Sequence, residues 1–250
     1  MAVRYEAGQL RLEKPPANSY DVDFMRELGE AVDAASADAD ARVVVVSSAN
    51  EKFFSAGADI KTFLANDVEA NMEMIRVAHD SLSRMAASDK LFVAWIEGHA
   101  LGGGLEIALA CDLRYGATSG YRVGTPEVTL GLLPGNGGTQ RLPRLIGLGP
   151  ALDLLLTGRQ LHPEEARSLG VLNGLFESRT WFDEHAEKLA ALPPLAIASI
   201  KRAAYEGTQV PLEQGLALER ELIEGLFRSS DSREGLSAFT EKRTATFTGT

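Results

Sequence analysis

The sequence predicts an α/β protein with a mainly parallel sheet and a helical C-terminal region. Three observations lead there. Arg42–Ser48 holds four consecutive valines and Leu91–Ile96 is apolar throughout, the pattern of strands buried on both faces. A long stretch of helical periodicity, Val68–Ala87, separates these two runs, as the connection between parallel strands requires. Beyond Pro193-Pro194 only helical patterns remain.

Taken in order, Gly8–Glu13 reads as a strand stopped by Pro15-Pro16. Asn18 or Ser19 is expected to cap the helix that follows, in which Val22, Met25, Leu28 and Val32 recur at helical spacing. After the valine strand, Ala49–Asp59 reads as a loop. The helix Val68–Ala87 sets Met72, Ile75, His79 and Leu82 near one face. Gly98–Gly104 is a glycine-rich turn leading into a helix at Leu105–Ala110, and Asp112–Gly116 a further short strand. Gly116–Gly138 is rich in turns. A helix over Arg141–Leu156 should break near Gly147–Pro150. Pro163–Ser168 starts a short helix, and Gly170–Phe176 ends in a strand. Helices are expected at Ile197–Tyr205, Pro211–Phe227 and Ser232–Thr246. The double proline divides an α/β core, residues 1–192, from a helical region, residues 193–250.

Charge and composition narrow the function. Hydrophobic residues at 45% and charged residues at 24% exclude a largely disordered chain. The balance of 25 Lys+Arg against 35 Asp+Glu, a net charge of -10, lacks the basic footprint of a nucleic-acid binder. Cys111 is the single cysteine, so no intrachain disulfide forms, which fits a reducing, cytoplasmic setting. The N-terminus shows no apolar signal core and no apolar run is long enough to span a membrane, so no membrane partner is expected.

The chemistry centres on a carboxylate among apolar residues. Glu106 lies in Leu101–Cys111, LGGGLEIALAC. Removal from water disfavours its charged form and raises its pKa toward the range of acid/base work at neutral pH. Taken alone, the residue fits equally a structural carboxylate bound to backbone amides. Gly102-Gly103-Gly104 precede the helix, so their amides are unpaired donors at its positive end, able to hold a developing oxyanion. Gly103 and Glu106 are three apart and share one face. Glu127, in GTPE ahead of Gly135-Asn136-Gly137-Gly138-Thr139, is a second carboxylate. Two carboxylates converging on one water suit its addition or removal, one as base and one as acid. A solvated loop glutamate is the plainer reading of Glu127 alone. Neither GxGxxG nor GxxxxGK[ST] occurs, so the dinucleotide and P-loop signatures are missing. His79, His99, His162 and His185 have no metal-ligand spacing, and no metal is expected. Ser55 has no GxSxG frame. Arg141 and Arg144 read as surface residues.

Five blocks in fixed order resemble the crotonase (enoyl-CoA hydratase/isomerase) superfamily: FFSAGADI at Phe53–Ile60, EGHALGGGLEIALACD at Glu97–Asp112, TPEVTLGLLPGNGGTQRL at Thr125–Leu142, LTGRQLHPEEA at Leu156–Ala166 and SREGLSAFTEKR at Ser232–Arg243. The likeness spans nearly the whole chain and is greatest to enoyl-CoA hydratases. It implies a spiral of repeated ββα units with a C-terminal helical region that builds a trimer or a dimer of trimers. It implies reversible syn addition of water to a trans-2-enoyl-CoA, giving a 3-hydroxyacyl-CoA. The amides of Ala58 and Gly103 would hold the thioester oxygen, Glu106 and Glu127 would serve as base and acid, and the amide of Gly135 would help place the water. The carbonyl of Ala56 would meet the adenine of CoA, with Asp59 and Ile60 beside it. Phe227 and Lys242 would reach CoA across the trimer interface. CoA is carried by the substrate, and no further cofactor is implied. The alternatives are an enoyl-CoA isomerase or other acyl-CoA lyase of the same superfamily, and a non-catalytic CoA-ester or RNA-binding module, against which the acidic charge and the retained glutamates weigh.

Two departures stand out. The spacing from Glu106 to Glu127 is one residue longer than expected for the hydratases. The extra residue is placed in Gly116–Val123, beside the acyl pocket, where Tyr121 and Arg122 would affect acyl specificity. ANSYD at Ala17–Asp21 replaces the usual NAL-type sequence, with no consequence assigned.

Overall fold

The computed structural model describes residues 1–250. A hairpin, β1 (Val3–Glu6) and β2 (Gln9–Leu12), leads into α1 (Val22–Ala37). Then come β3 (Val43–Ser48), β4 (Phe53–Ser55), α2 (Ile60–Ala65), α3 (Val68–Ala87), β5 (Leu91–Ile96), β6 (His99–Leu101), α4 (Gly103–Ala110), β7 (Leu113–Ala117) and β8 (Val123–Gly124). A single tight turn of helix, Pro126–Leu130, precedes α5 (Gly138–Ile146), α6 (Leu148–Thr157), β9 (Gln160–Leu161), α7 (Pro163–Ser168), β10 (Gly174–Phe176) and α8 (Arg179–Ala190). The chain ends with α9 (Pro194–Gly207), α10 (Leu212–Phe227) and α11 (Ser230–Glu241).

The strands alternate between two sheets. The larger runs β1-β2-β3-β5-β7-β10 and is parallel except for the β1–β2 hairpin; the smaller runs β4-β6-β8-β9, with only β9 antiparallel. Each pair β3β4, β5β6 and β7β8 thus places one strand in each sheet before a helix, the expected spiral of ββα units.

The apolar strand runs are explained by burial on two sides. Val44, Val46, Phe92, Ala94 and Ile96 join the main core, whereas Val43, Val45, Leu91, Val93 and Trp95 face α8. There Phe182 stacks on Trp95 with ring centroids 4.5 Å apart. α8 was not apparent in the sequence because Phe182 is its only buried residue, too few for an apolar stripe.

Several sequence expectations are corrected. Asp21, not Asn18 or Ser19, caps α1, its side chain accepting from the Phe24 amide at 2.9 Å. Asn18 instead has a left-handed φ of 51° and donates to Ser48 and to the Phe54 carbonyl. The loop 49–59 contains β4. In α3 the face turned to the core is Met74, Ala78, Leu82 and Met85, while Met72 is exposed. The α5–α6 break falls at Gly147, as expected. α11 stops at Glu241 rather than near Thr246, because Lys242 takes a left-handed φ of 56°. The remaining residues turn back, with Thr248 and Gly249 donating to Asp231.

The double proline lies between α8 and α9, with Pro194 in the first turn of α9, where its missing N–H leaves no gap. Lys201 ties α9 to the core: it is buried, pairs with Asp112 at 2.8 Å and donates to the carbonyls of Met85 and Lys90. α10 has no buried residue. No helix is long and apolar enough to cross a membrane.

Candidate active site

A cavity of about 450 Å³ opens between the small sheet, α3 and the glycine-rich loop. Its polar wall contains Glu106, Glu127, Gly103, Ala58 and Ala56, and its apolar wall Ile60, Phe63, Met72, Ile75, Leu130, Leu132 and Leu133. Gly135 closes one side.

Close backbone approach builds the polar wall. Gly57, at φ 90°, lies against the start of α4: a Cβ there would come 2.8 Å from the Leu101 carbonyl oxygen and 3.2 Å from the Gly103 amide nitrogen. Ala58 is thereby brought beside Gly103. The bridge between Tyr20 and Ala58 uses the Gly57 carbonyl and the Asp59 amide, which leaves the Ala58 amide without a partner in the chain. The Gly103 amide, at the first position of α4, has no preceding turn to accept it. Gly104 packs equally tightly below, where a Cβ would meet the Ser55 carbonyl oxygen at 2.1 Å.

Glu106 is 1% exposed. Its Oε1 accepts the amides of Asn136 at 2.7 Å and Gly138 at 2.6 Å. Burial pushes its carboxyl up to about 7, and the nearby Glu127 adds to the rise against the downward pull of the two amides. The carboxylate is bound to backbone amides, and its carboxyl is raised into the neutral range. Glu127 reaches the other side of the turn, its Oε1 lying 2.8 Å from where a Cβ on Gly102 would stand. Its Oε2 is buried with no hydrogen-bond partner, and burial raises its carboxyl above the usual range. The loop glutamate is thus half-buried rather than fully solvated.

Of the expected site residues, Ala56, Ala58, Ile60, Gly103, Glu106, Glu127 and Gly135 meet in this cavity. Asp59 does not line it; its carboxylate caps α2 by accepting from Lys61 and Thr62. Phe227 and Lys242 lie outside it, on α10 and at the end of α11. Tyr121 and Arg122 are corrected. Neither borders the cavity: Tyr121 is buried against Gly116, and Arg122 donates its backbone amide to His99 Nδ1 while its guanidinium meets His162. Arg141 is not a surface ion-pair residue either, since it donates to the Asn136 carbonyl at 2.8 Å.

Two residues of the site had no assigned role. Tyr20, from the segment that departs from the usual pattern, lines the cavity, and its Oη stands where a Cβ on Gly103 would come within 2.2 Å. Asn136 gives its amide to Glu106 and its Nδ2 to the Tyr20 hydroxyl at 2.5 Å. The available signal for Tyr20 was that ANSYD departs from the usual NAL-type sequence; Asn136 carried none.

A family model described as Enoyl-CoA hydratase/isomerase matches residues 6–250. The 2,3-dehydroadipyl-CoA hydratase of Escherichia coli is 36% identical over 244 residues, covering 96% of this chain and 94% of that protein. The crotonyl-CoA hydratase of Syntrophomonas wolfei is 36% identical over 244 residues, covering 95% and 93%. The crystal structure of an enoyl-CoA hydratase from Bacillus anthracis superposes with a TM-score of 0.94 at 35% identity, covering 100% of both chains.

Proposed function

The chain belongs to the enoyl-CoA hydratase/isomerase family, and we propose that within it this protein adds water reversibly to trans-2-enoyl-CoA thioesters. The observation that carries the reading is the meeting of Glu106, Glu127 and the amides of Ala58 and Gly103 in one largely apolar cavity. The thioester oxygen docks between the two amides. Glu106, held through Oε1, takes a proton from water as the water oxygen bonds to C3. The π electrons of C2=C3 move toward the thioester, and the two amides stabilise the enolate oxygen. Glu127, whose carboxyl is raised by partial burial, delivers a proton to C2 as the carbonyl re-forms. Return of the proton from Glu106 to Glu127 through water completes the cycle. The Gly135 amide helps place the water. The apolar wall from Phe63 to Leu133 accepts the acyl chain, and Ala56 with Ile60 borders the CoA path; Asp59 supports that path by capping α2.

Residues 193–250 form a helical appendage to the core in this reading. Leu212, Phe227, Leu236 and Phe239 are exposed on α10 and α11 and would be covered in a homotrimer or a dimer of trimers. Phe227 and Lys242 would then reach a neighbouring CoA site.

Loss of the ultraviolet absorbance of crotonyl-CoA tests the function. Rapid loss is expected for wild type, with a fall of roughly a hundredfold or more in Glu106→Gln and in Glu127→Gln. A folded wild type that isomerises 3-enoyl thioesters but leaves short and long 2-enoyl thioesters unhydrated would overturn it.

A further inference from the structure

Behind the glycine-rich loop lies a second cavity, of about 730 Å³, and Arg141 of α5 lines it. The Arg141 Nη1 donates to the Asn136 carbonyl at 2.8 Å. Gly137, at φ 104°, lies against the same nitrogen, which a Cβ there would approach to 2.1 Å. Asn136 and Gly138, on either side of it, supply the amides that grip Glu106 at 2.7 and 2.6 Å. One guanidinium therefore fixes the peptides that fix the carboxylate. Arg84 and Arg159 each sit between two carboxylates, whereas Arg141 pairs with none.

We propose that Arg141 is a positioning residue for Glu106: from the second cavity it locks the Asn136–Gly138 loop and stands as the uncompensated positive charge behind the carboxylate. The catalytic consequence rests on the reading of Glu106 as base; the placement does not.

The two carboxylates of this cavity are paired elsewhere, Asp80 with Arg84 and Asp112 with Lys201. Tyr205 faces Arg141 from α9 and Cys111 from the end of α4; its contact with Asp112 helps keep the Tyr205 hydroxyl neutral, and burial pushes the Cys111 thiol up to about 12. His79 and Asp80 of α3, Asp112 and Arg114 beyond α4, and Arg144 of α5 share the cavity. On the other side of Glu106 stand Glu127, which raises its carboxyl, and Tyr20, kept neutral by burial. Among the charged side chains facing Glu106, Arg141 is the one that pulls its carboxyl down.

The test is a titration of the unliganded full-length protein, following the 13C carboxyl resonance of Glu106, assigned by its loss in Glu106→Gln. Arg141→Gln is expected to move the midpoint up by about one pH unit, the size of one nearby charge in a partly buried site. Arg141→Lys keeps the charge and should return the midpoint to within a few tenths of a unit of wild type. His79→Gln should leave it in place. In turnover of crotonyl-CoA, Arg141→Gln should lose roughly tenfold in kcat with KM changed less than about twofold, since it touches no substrate. An unmoved midpoint in Arg141→Gln overturns the proposal, as does an equal rise in His79→Gln or in Arg141→Lys. If Arg141→Gln does not fold, Arg141→Lys decides alone: a midpoint at the wild-type position supports the role and a raised one refutes it. The midpoint is read without turnover, so a chain that failed to hydrate crotonyl-CoA would refute the functional reading without deciding the role of Arg141.

Discussion

The side-chain amide of Asn136 donates to the hydroxyl of Tyr20 at 2.5 Å, joining segments 116 residues apart directly over Gly103. Both side chains are buried, at 0% and 3% exposure, and Asn136, off the cavity wall, has no water-facing side to turn to.

Removing one side of this pair strands the other. Tyr20→Phe leaves the Asn136 amide group unpaired and should cost about 1–3 kcal/mol in urea unfolding. Adding Asn136→Ala should cost less than the sum of the single changes, because the stranded group goes too. Strict additivity in that cycle would show that the two side chains are not coupled.

Gly57→Ala tests how the two backbone amides are brought together. The new methyl would meet the Leu101 carbonyl at 2.8 Å and the Gly103 nitrogen at 3.2 Å, on a backbone already at φ 90°. Displacing Gly103 by even a fraction of an ångström should lower kcat/KM for crotonyl-CoA by roughly tenfold to a hundredfold. Strain at the same residue should cost about 1–3 kcal/mol of stability. Wild-type kinetics in this variant would remove the Ala58–Gly103 pair from the reaction.

Glu106 makes stability depend on pH with a definite sign. Its carboxyl stands at about 7 in the folded chain against an ordinary 4.5, so the folded state holds its proton more tightly than the unfolded chain does. A raised carboxyl costs nothing below the ordinary value and progressively more as pH climbs to the folded one. Glu106→Gln should therefore gain stability relative to wild type between pH 5 and pH 8, by up to about 3 kcal/mol, while losing activity. Denaturant midpoints at the two pH values measure this, and a difference that shrinks as pH rises contradicts it.

Lys201→Met should be among the more damaging changes in the helical region. It leaves Asp112 as a buried carboxylate without its cation and the carbonyls of Met85 and Lys90 without their donor. The expected loss is about 3–5 kcal/mol. Limited proteolysis should find α9 cut faster than in wild type; unchanged melting would show that α9 is held by its apolar contacts instead.

The sequence by itself determined the layered α/β plan, because Val43–Val46 and Leu91–Ile96 are apolar on both faces and only a covered sheet hides both. It also determined the limits of α3 and the burial of Glu106, since every neighbour in LGGGLEIALAC is small or apolar. The strands of the small sheet carried no such signal. With two or three residues each, β4, β6 and β8 are too short to show an alternation. Only the tertiary structure decided that Glu127 is half-buried with its Oε2 enclosed, that Tyr121 and Arg122 lie off the cavity, and that Tyr20, Asn136 and Arg141 stand around one carboxylate. The reason is physical. Local periodicity records which face of an element meets the core, whereas these residues lie in loops or at a helix start, and their partners are fixed by how distant turns of the chain stack.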